Sequence, residues 1–315
     1  MFSQTIISEQ YNTTYTDFFR EASLKRYGLH QYQYSNLHKA STDGSIYFKP
    51  MFYNFPDDSK NYNDVEKNIL LGDSVKLSAV VDQVTVQTFY FPGTSTTWCP
   101  IWPKYKFDCY SGKSTQVMSD VKIDEMLVHI KSGSIIPLQL TDFELTEQDT
   151  TRDYSAYQNK VIHKNEDYNI ETLKDHTLDL AVMCDSKYHA EGWVRFDDGK
   201  TQDLTQYSEF SFEAQGAVPL IGTNSINITA NVTKDNSTLT DSNNQKLGSI
   251  LIYNANKFSL SKNSKCSIAL KSSQTIQADP ICYFTNKKSS ICRFLIKDGL
   301  EPDLRDIENI YITSR

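Results

Sequence analysis

The stretch L-V-H-I-K-S-G-S-I-I-P-L-Q, from Leu127 to Gln139, reads as two short strands, Glu125 to Ile130 and Ser134 to Leu138, parted by Lys131-Ser132-Gly133. Short alternating segments with turns between them are the signature of antiparallel β-sandwiches, and the same pattern extends in both directions. Upstream, Val75 to Val81 and Val84 to Phe91 complete a first unit. Downstream, a second unit runs through Leu178 to Met183, Gly192 to Phe196, Glu209 to Glu213, Ser225 to Val232, Ser249 to Ile252, Cys266 to Leu270, Ser290 to Ile296 and Ile307 to Ile312. From about residue 178 onward there are enough strands to close a core and fold alone. Residues 141–177 are polar and charged without a clear period and read as an insertion or linker, and Thr233 to Lys246 reads as a long hairpin loop.

Ahead of the strands, Tyr15 to Ala40 reads as one helix. Phe18, Ala22, Leu29 and Tyr32 recur near the 3.6-residue period, while Leu24, Tyr27, Tyr34 and Leu37 cover much of the other side. An apolar surface wider than one stripe calls for partners on more than one face. Asp43-Gly44 ends the helix, and Ser45 to Tyr53 reads as a strand. The side left uncovered by the first β unit is expected to form an apolar patch that a protein partner covers: a missing part of the same fold, a second copy of the chain, or an unrelated protein.

The 315 residues suit two compact units and a shorter piece. Hydrophobic residues make up 39% and aromatics 12%, which excludes an intrinsically disordered class. A formal net charge of −7 argues against a nucleic-acid partner. No run of about 18 apolar residues reads as a membrane span. The start, Met1-Phe2-Ser3-Gln4-Thr5, has neither the basic nor the apolar region of a signal peptide. Four N-x-[ST] sequons, at Asn12, Asn227, Asn231 and Asn236, are nevertheless candidate N-glycosylation sites. Asn227 and Asn231 lie on alternating positions of a strand-like run and face one side.

Neither a metal nor another cofactor is expected. Cys99, Cys109, Cys184, Cys266, Cys282 and Cys292 form no C-x-x-C, and their pairing is left open. The histidines (His30, His38, His129, His163, His176 and His189) show no i,i+4 pair and no Cys at metal spacing, and His129 reads as a packed, hydrogen-bonded core residue. Gly112-Lys113-Ser114-Thr115 ends like a phosphate-binding loop, but the required first Gly falls at Phe107. The adjacent pairs Asp57-Asp58 and Asp197-Asp198 would point to opposite faces and cannot flank one bond.

Taken in order, R-Y-G-L-H-Q-Y-Q-Y-S-N-L-H-K-A (Arg26 to Ala40), F-K-P-M-F-Y-N-F-P-D-D (Phe48 to Asp58), L-L-G-D-S (Leu70 to Ser74), F-Y-F-P-G with W-C-P-I-W (Phe89 to Trp102), the Leu127–Gln139 stretch and G-W-V-R-F-D-D-G-K (Gly192 to Lys200) make six signatures. Each resembles a segment in the C-terminal half of glycoside hydrolase family 31, the α-glucosidases, in the family's order and approximate spacing. Arg26, Tyr27, Leu29, Tyr32, Tyr34, Leu37 and Ala40 keep the helix pattern, and Pro50, Phe52, Phe55, Pro56 and Asp58 the next. The chain departs from the family at Gln31, where Pro is usual, and at Lys49, where Arg is usual. A point charge in place of a planar fork loosens a bidentate contact.

The resemblance implies a mainly β chain: two antiparallel β-sandwich domains preceded by a helix-strand remnant of a (β/α)₈ barrel. It divides the chain into residues 1–67 (terminal helix and strand), 68–140 (proximal sandwich), 141–177 (insertion) and 178–315 (distal sandwich). The parent activity it implies is retaining hydrolysis of terminal α-linked glucose, with a lysosomal or secretory location. The family's W-x-D-M-N-E and W-x-G-D-N segments, which carry nucleophile and acid, do not occur here. Catalytic residues are therefore assigned to none of the side chains, and the chain is not expected to hydrolyse glucosides alone. The alternatives are a structural or interaction scaffold and a carbohydrate-binding accessory module that stacks sugars on Trp98 and Trp102. Trp193 falls in a strand and is expected to pack between sheets.

Overall fold

A computed structural model describes residues 13–63, 65–80, 86–102, 108–119, 121, 125, 127–139, 170–202, 205–235, 245–286 and 289–314. It begins with two helices, α1 (Thr13–Gly28) and α2 (His30–Asp43), where the sequence pattern predicts one. The break at Leu29 has a packing cause. A Cβ on Gly28 would stand 2.8 Å from Gln139 O and 3.3 Å from the Trp102 ring. Only glycine lets the helix come that close, and its carbonyl accepts the Gln139 N–H at 2.9 Å. A carbonyl tilted toward a neighbouring strand interrupts the helical ladder. At the other end Gly44, at φ 76°, donates its N–H to Ala40 O and caps α2 in the left-handed conformation, as the Asp43-Gly44 pair predicts.

The strands β1 (Phe48–Pro50), β2 (Asn68–Leu71), β3 (Val75–Ser78), β4 (Val86–Phe91), β5 (Thr97–Pro100), β6 (Tyr110–Ser111), β7 (Ser114–Ser119) and β8 (Val128–Lys131) follow. Six of them form one sheet in the order β1-β2-β3-β8-β5-β6, and β4 pairs with β7 separately. Next come β9 (Ser134–Leu138), a short helix α3 (Ile170–Leu173), β10 (Leu178–Met183), β11 (His189–Phe196), β12 (Ser208–Ala217) and β13 (Ser225–Lys234). The last are β14 (Leu247–Tyr253), β15 (Lys265–Leu270), β16 (Thr275–Asn286), β17 (Ser289–Leu295) and β18 (Ile307–Thr313).

The chain is mainly β, but its strands do not sort into the two groups that alternation alone predicts. Strands β9 to β18 close into one ring, in the order β10-β14-β17-β16-β15-β18-β13-β12-β11-β9. The strand expected to finish the first unit, β9, instead pairs antiparallel with β10 and parallel with β11. Its composition explains the difference. All of Ser134–Leu138 is buried, as are all of β10 and β14. Near-continuous apolar runs suit strands covered on both faces. Ile135, Leu180, Val182, Ile250 and Ile252 fill the ring, while Ile136, Leu138, Ala181, Met183, Leu251 and Tyr253 face outward into a second core shared with the six-stranded sheet and α2. By contrast β12 alternates buried and solvated residues and has one wet face.

In the wall between the two cores, Arg293 donates to Ser249 Oγ at 2.9 Å and to Asp179 Oδ2 at 3.4 Å, all three side chains being buried. Disulfides join Cys99 to Cys109 and Cys282 to Cys292, the latter pair directly opposite in the β16–β17 register. Cys184 and Cys266 are buried free thiols.

Because β9 stands between β10 and β11, a chain starting at residue 178 lacks the piece that closes the ring. It is expected to melt broadly or at lower temperature than a chain starting near residue 127, which restores β8 and β9. Equal, cooperative thermal melts for the two would contradict the shared-strand account.

Candidate functional site

Signatures far apart in the sequence meet on α2. On one side Tyr32 donates its hydroxyl to Leu71 O at 2.8 Å and accepts the Ser74 N–H at 3.2 Å, tying the helix to the Leu70–Ser74 turn. On the other side Ser35 Oγ accepts the Arg195 N–H at 3.0 Å, Gln31 Nε2 donates to Arg195 O, and Tyr34 donates to Asp197 Oδ2 at 2.6 Å. Desolvation, followed by the hydrogen bond to Asp197, pushes the Tyr34 phenol well above its ordinary range. The buried face of α2 is thus Gln31, Tyr32, Ser35 and His38, at helical spacing, while Leu37 is 45% exposed and Leu24 half-buried. The apolar residues named for this helix are thus divided: Leu29 and Tyr32 pack into the core shared with the first sheet, and the contact with β11 is polar. The signal that could have found it is the i, i+4, i+7 run of Gln31, Ser35 and His38 in the sequence.

Arg195 anchors the contact from β11. Its guanidinium lies 5.2 Å from the Trp193 ring centroid and 4.6 Å from that of Tyr207. Its Nε donates to Glu209, and its Nη1 is 3.2 Å from His38 Nδ1. A planar cation between two rings, with a carboxylate at its edge, is fixed in orientation as a lysine would not be. Trp193 therefore does not pack between sheets. Val194 and Phe196 point into the ring core, so period-two alternation leaves Trp193 on the outer face, with Lys39 of α2 5.6 Å above it.

The remaining signature residues complete this frame. Lys49 donates to Asp73 Oδ1 at 2.6 Å, and Asn54 donates to the same oxygen at 2.9 Å. Burial alone would raise the Asp73 pKa, but these two hydrogen bonds hold the carboxyl below the usual range. The single Lys49 contact matches the loss of a forked one, and Asn54 adds a second donor. The adjacent aspartates are all engaged or apart: Tyr90 donates to Asp58 at 2.6 Å, Asp197 takes Tyr34 and the Gly199 N–H, and Asp198 accepts from the amides of Lys200 and Thr201. The Thr201 hydroxyl and these amides hold the Asp198 carboxyl at about 2. Asp57 is exposed.

A second cluster lies under the first sheet. Lys76, fully buried, faces His129 across the β3–β8 register. Its Nζ bonds Ser78 Oγ and lies 4.5 Å from the centroid of the Phe91 ring. The His129 ring sits 5.0 Å from that of Phe91, and its Nδ1 has no hydrogen-bond partner, so the residue is packed as expected but only partly satisfied. Desolvation lowers Lys76 to about 7, and desolvation with the Lys76 charge beside it lowers His129 to about 3. Composition gave no sign of a buried lysine.

Trp98 has no exposed surface and donates Nε1 to Pro92 O at 3.0 Å; Trp102 is 6% exposed beside Gly28. Stacking a sugar needs an open ring face, and neither ring offers one here. Asn227 and Asn231 lie on β13, whereas Asn12, Asn236 and His163 fall outside the described residues. Among the described residues no group of His, Cys, Asp or Glu could hold a metal ion, and no helix is long and apolar enough to cross a membrane.

Residues 44–136 match the family model described as the glycosyl hydrolase family 31 C-terminal domain. Probable maltase-glucoamylase 2 of Homo sapiens is 26% identical over 250 residues, covering 79% of this chain and 8% of that protein. The glucosidase II α subunit with DNJ bound superposes with a TM-score of 0.68 at 14% identity, covering 98% of this chain and 30% of that one. An ER glucosidase II heterodimeric complex, of catalytic subunit and the binding domain of the regulatory subunit, gives 0.66 at 16% identity, covering 98% and 30%. The family-model match and these relatives support reading the chain as a C-terminal fragment of a glycoside hydrolase family 31 protein. The likeness is to the C-terminal portion of the α-glucosidase-like members. It spans less than a third of the length of each of these relatives.

Two measurements probe the site. A Cβ on Gly192 would overlap Ile135 O of β9, so Gly192→Ala is expected to lower stability by about 3 kcal/mol, the upper end for overpacking; an unchanged denaturation midpoint would refute the close approach. For Lys76 the folded pKa of about 7 lies below the ordinary 10.5. Its neutral form is favoured by folding, so stability is full above pH 10.5, falls as pH drops from 10.5 to about 7, and levels off below that. Lys76→Met should raise the melting temperature at neutral pH and flatten its pH dependence across that window. Parallel pH profiles for the two proteins would rule this out.

Proposed function

We propose that this chain is a non-catalytic support of a family 31 α-glucosidase-like enzyme. In this reading α1, α2 and β1 are the last helix and strand of a (β/α)₈ barrel. The six-stranded sheet and the ring stand in the place of the proximal and distal sandwiches and seat that barrel. The parent reaction is retaining hydrolysis of terminal α-linked glucose, which needs a nucleophile and an acid/base carboxyl about 5 Å apart. The observation that carries the reading is the convergence of the signatures on α2, through Tyr32, Gln31, Ser35 and Tyr34. These contacts hold a helix in place; they present no paired carboxylates to a substrate.

The partner is the polypeptide that carries the rest of the barrel. What supports this is the exposure of Phe48 (59%), Tyr53 (56%) and Ile46 (44%), in or beside the β1 segment, and of Tyr62 (54%), which stacks on Phe52. Large aromatic side chains left in water there suit a surface that another polypeptide covers.

The purified chain is expected to show no turnover of maltose or of an aryl α-glucoside. It should retain a co-expressed family 31 barrel in a pull-down, and Phe48→Lys with Tyr53→Lys should weaken that retention. Turnover that survives repurification and is lost on replacing Asp58 or Asp198 would overturn the non-catalytic reading. Retention of an unrelated scaffold partner, and not of the barrel, would overturn the support role.

A further inference from the structure

The sequons are a chemical motif that the support role leaves unused, and the fold separates the two that lie on β13. Both asparagines point away from the ring core, because Ile226, Ile228 and Ala230 fill it. Their surroundings then differ. Asn227 is half-buried and stands in register between Gln215 of β12 and Tyr311 of β18. Its Oδ1 is shut off from solvent without a hydrogen-bond partner. Asn231 is exposed, faces the small Ser211, and lies two residues beyond Thr229, where the rows paired with β18 end.

An independent observation concerns the compartment. The Cys99–Cys109 and Cys282–Cys292 disulfides belong to an oxidising environment, and N-glycans are attached to chains that fold in one. We infer that Asn231 is an N-glycan acceptor in this protein and that Asn227, in the folded chain, is not. In the transfer the Asn231 amide nitrogen displaces the diphospho-lipid from the anomeric carbon of a lipid-linked oligosaccharide. The N–C bond forms, the C–O bond to phosphate breaks, and the amide proton leaves with the lipid diphosphate. Thr233, the hydroxyl residue of the sequon, donates to Glu209 Oε1 at 2.8 Å in the folded chain. Recognition of the sequon therefore precedes closure of the β12–β13 hairpin. Asn227 is equally open at that stage, so selection falls at closure: a glycan on Asn231 projects into water, whereas one on Asn227 meets Gln215 and Tyr311 and holds the chain out of the folded state.

The test secretes the full chain from a eukaryotic host, releases glycans enzymatically in ¹⁸O-water, and maps the labelled positions by peptide mass spectrometry. The expected result is label at residue 231 and none at residue 227. Asn231→Gln should remove that glycan, and Asn227→Gln should leave it in place. Thr233→Ala removes both the sequon and the Glu209 contact, so Thr233→Ser, which keeps the sequon, serves as its control and should stay glycosylated. The same map on cell-retained protein covers poor secretion. An unmodified Asn231 in disulfide-bonded protein, or a glycan on Asn227 of the folded chain, overturns the inference.

Discussion

The hydrogen bonds between Ser35 and Gln31 of α2 and the backbone of Arg195 set the rest of the arrangement. An apolar helix face can slide along an apolar sheet at little cost. A buried polar face cannot, because each donor or acceptor moved out of register is left unpaired, at a cost of about 1–3 kcal/mol. With Gln31 and Ser35 buried against β11, one axial position satisfies them, and that position also brings Tyr32 onto the Leu70–Ser74 turn. The helix thereby fixes the first sheet relative to the ring.

The ring contributes the complementary half of that coupling. Strands β9, β10 and β14 serve two cores at once, so neither core can loosen without exposing the other. The Asp179–Ser249–Arg293 network sits in this common wall. An ion pair there adds little net stability over an apolar replacement, but removing one partner leaves an uncompensated buried charge. It therefore penalises misalignment of β10, β14 and β17 more than it strengthens the correct alignment.

Much of the architecture was legible in the sequence. The alternation of Ser208–Ala217 and Ser225–Lys234 marks strands with one wet face, and Asp43-Gly44 marks the end of α2. The signatures pointed to the family through their order and spacing, even where single residues such as Gln31 and Lys49 depart from its pattern. The misses share one origin: they are properties of pairs of elements. The break after Gly28 depends on Gln139, the outward placement of Trp193 on the phase of β11, and the ring on β9 leaving its sequence neighbours. A buried Lys76 looks in sequence like any other strand lysine, since nothing local shows that Phe89 and Phe91 will cover it. The polar face of α2 was written in the sequence at helical spacing, but a hydrophobic stripe on the same helix outweighed it.

Strand β18 lies between β13 and β15, both of which precede it in the chain. During synthesis the ring therefore has two unpaired edges facing each other until residues through Thr313 have left the ribosome. Open edges of that length are templates for pairing with another chain. Ring closure therefore waits for β18, and the interval between synthesis of β15 and docking of β18 is when the facing edges of β13 and β15 are most open to pairing with another chain.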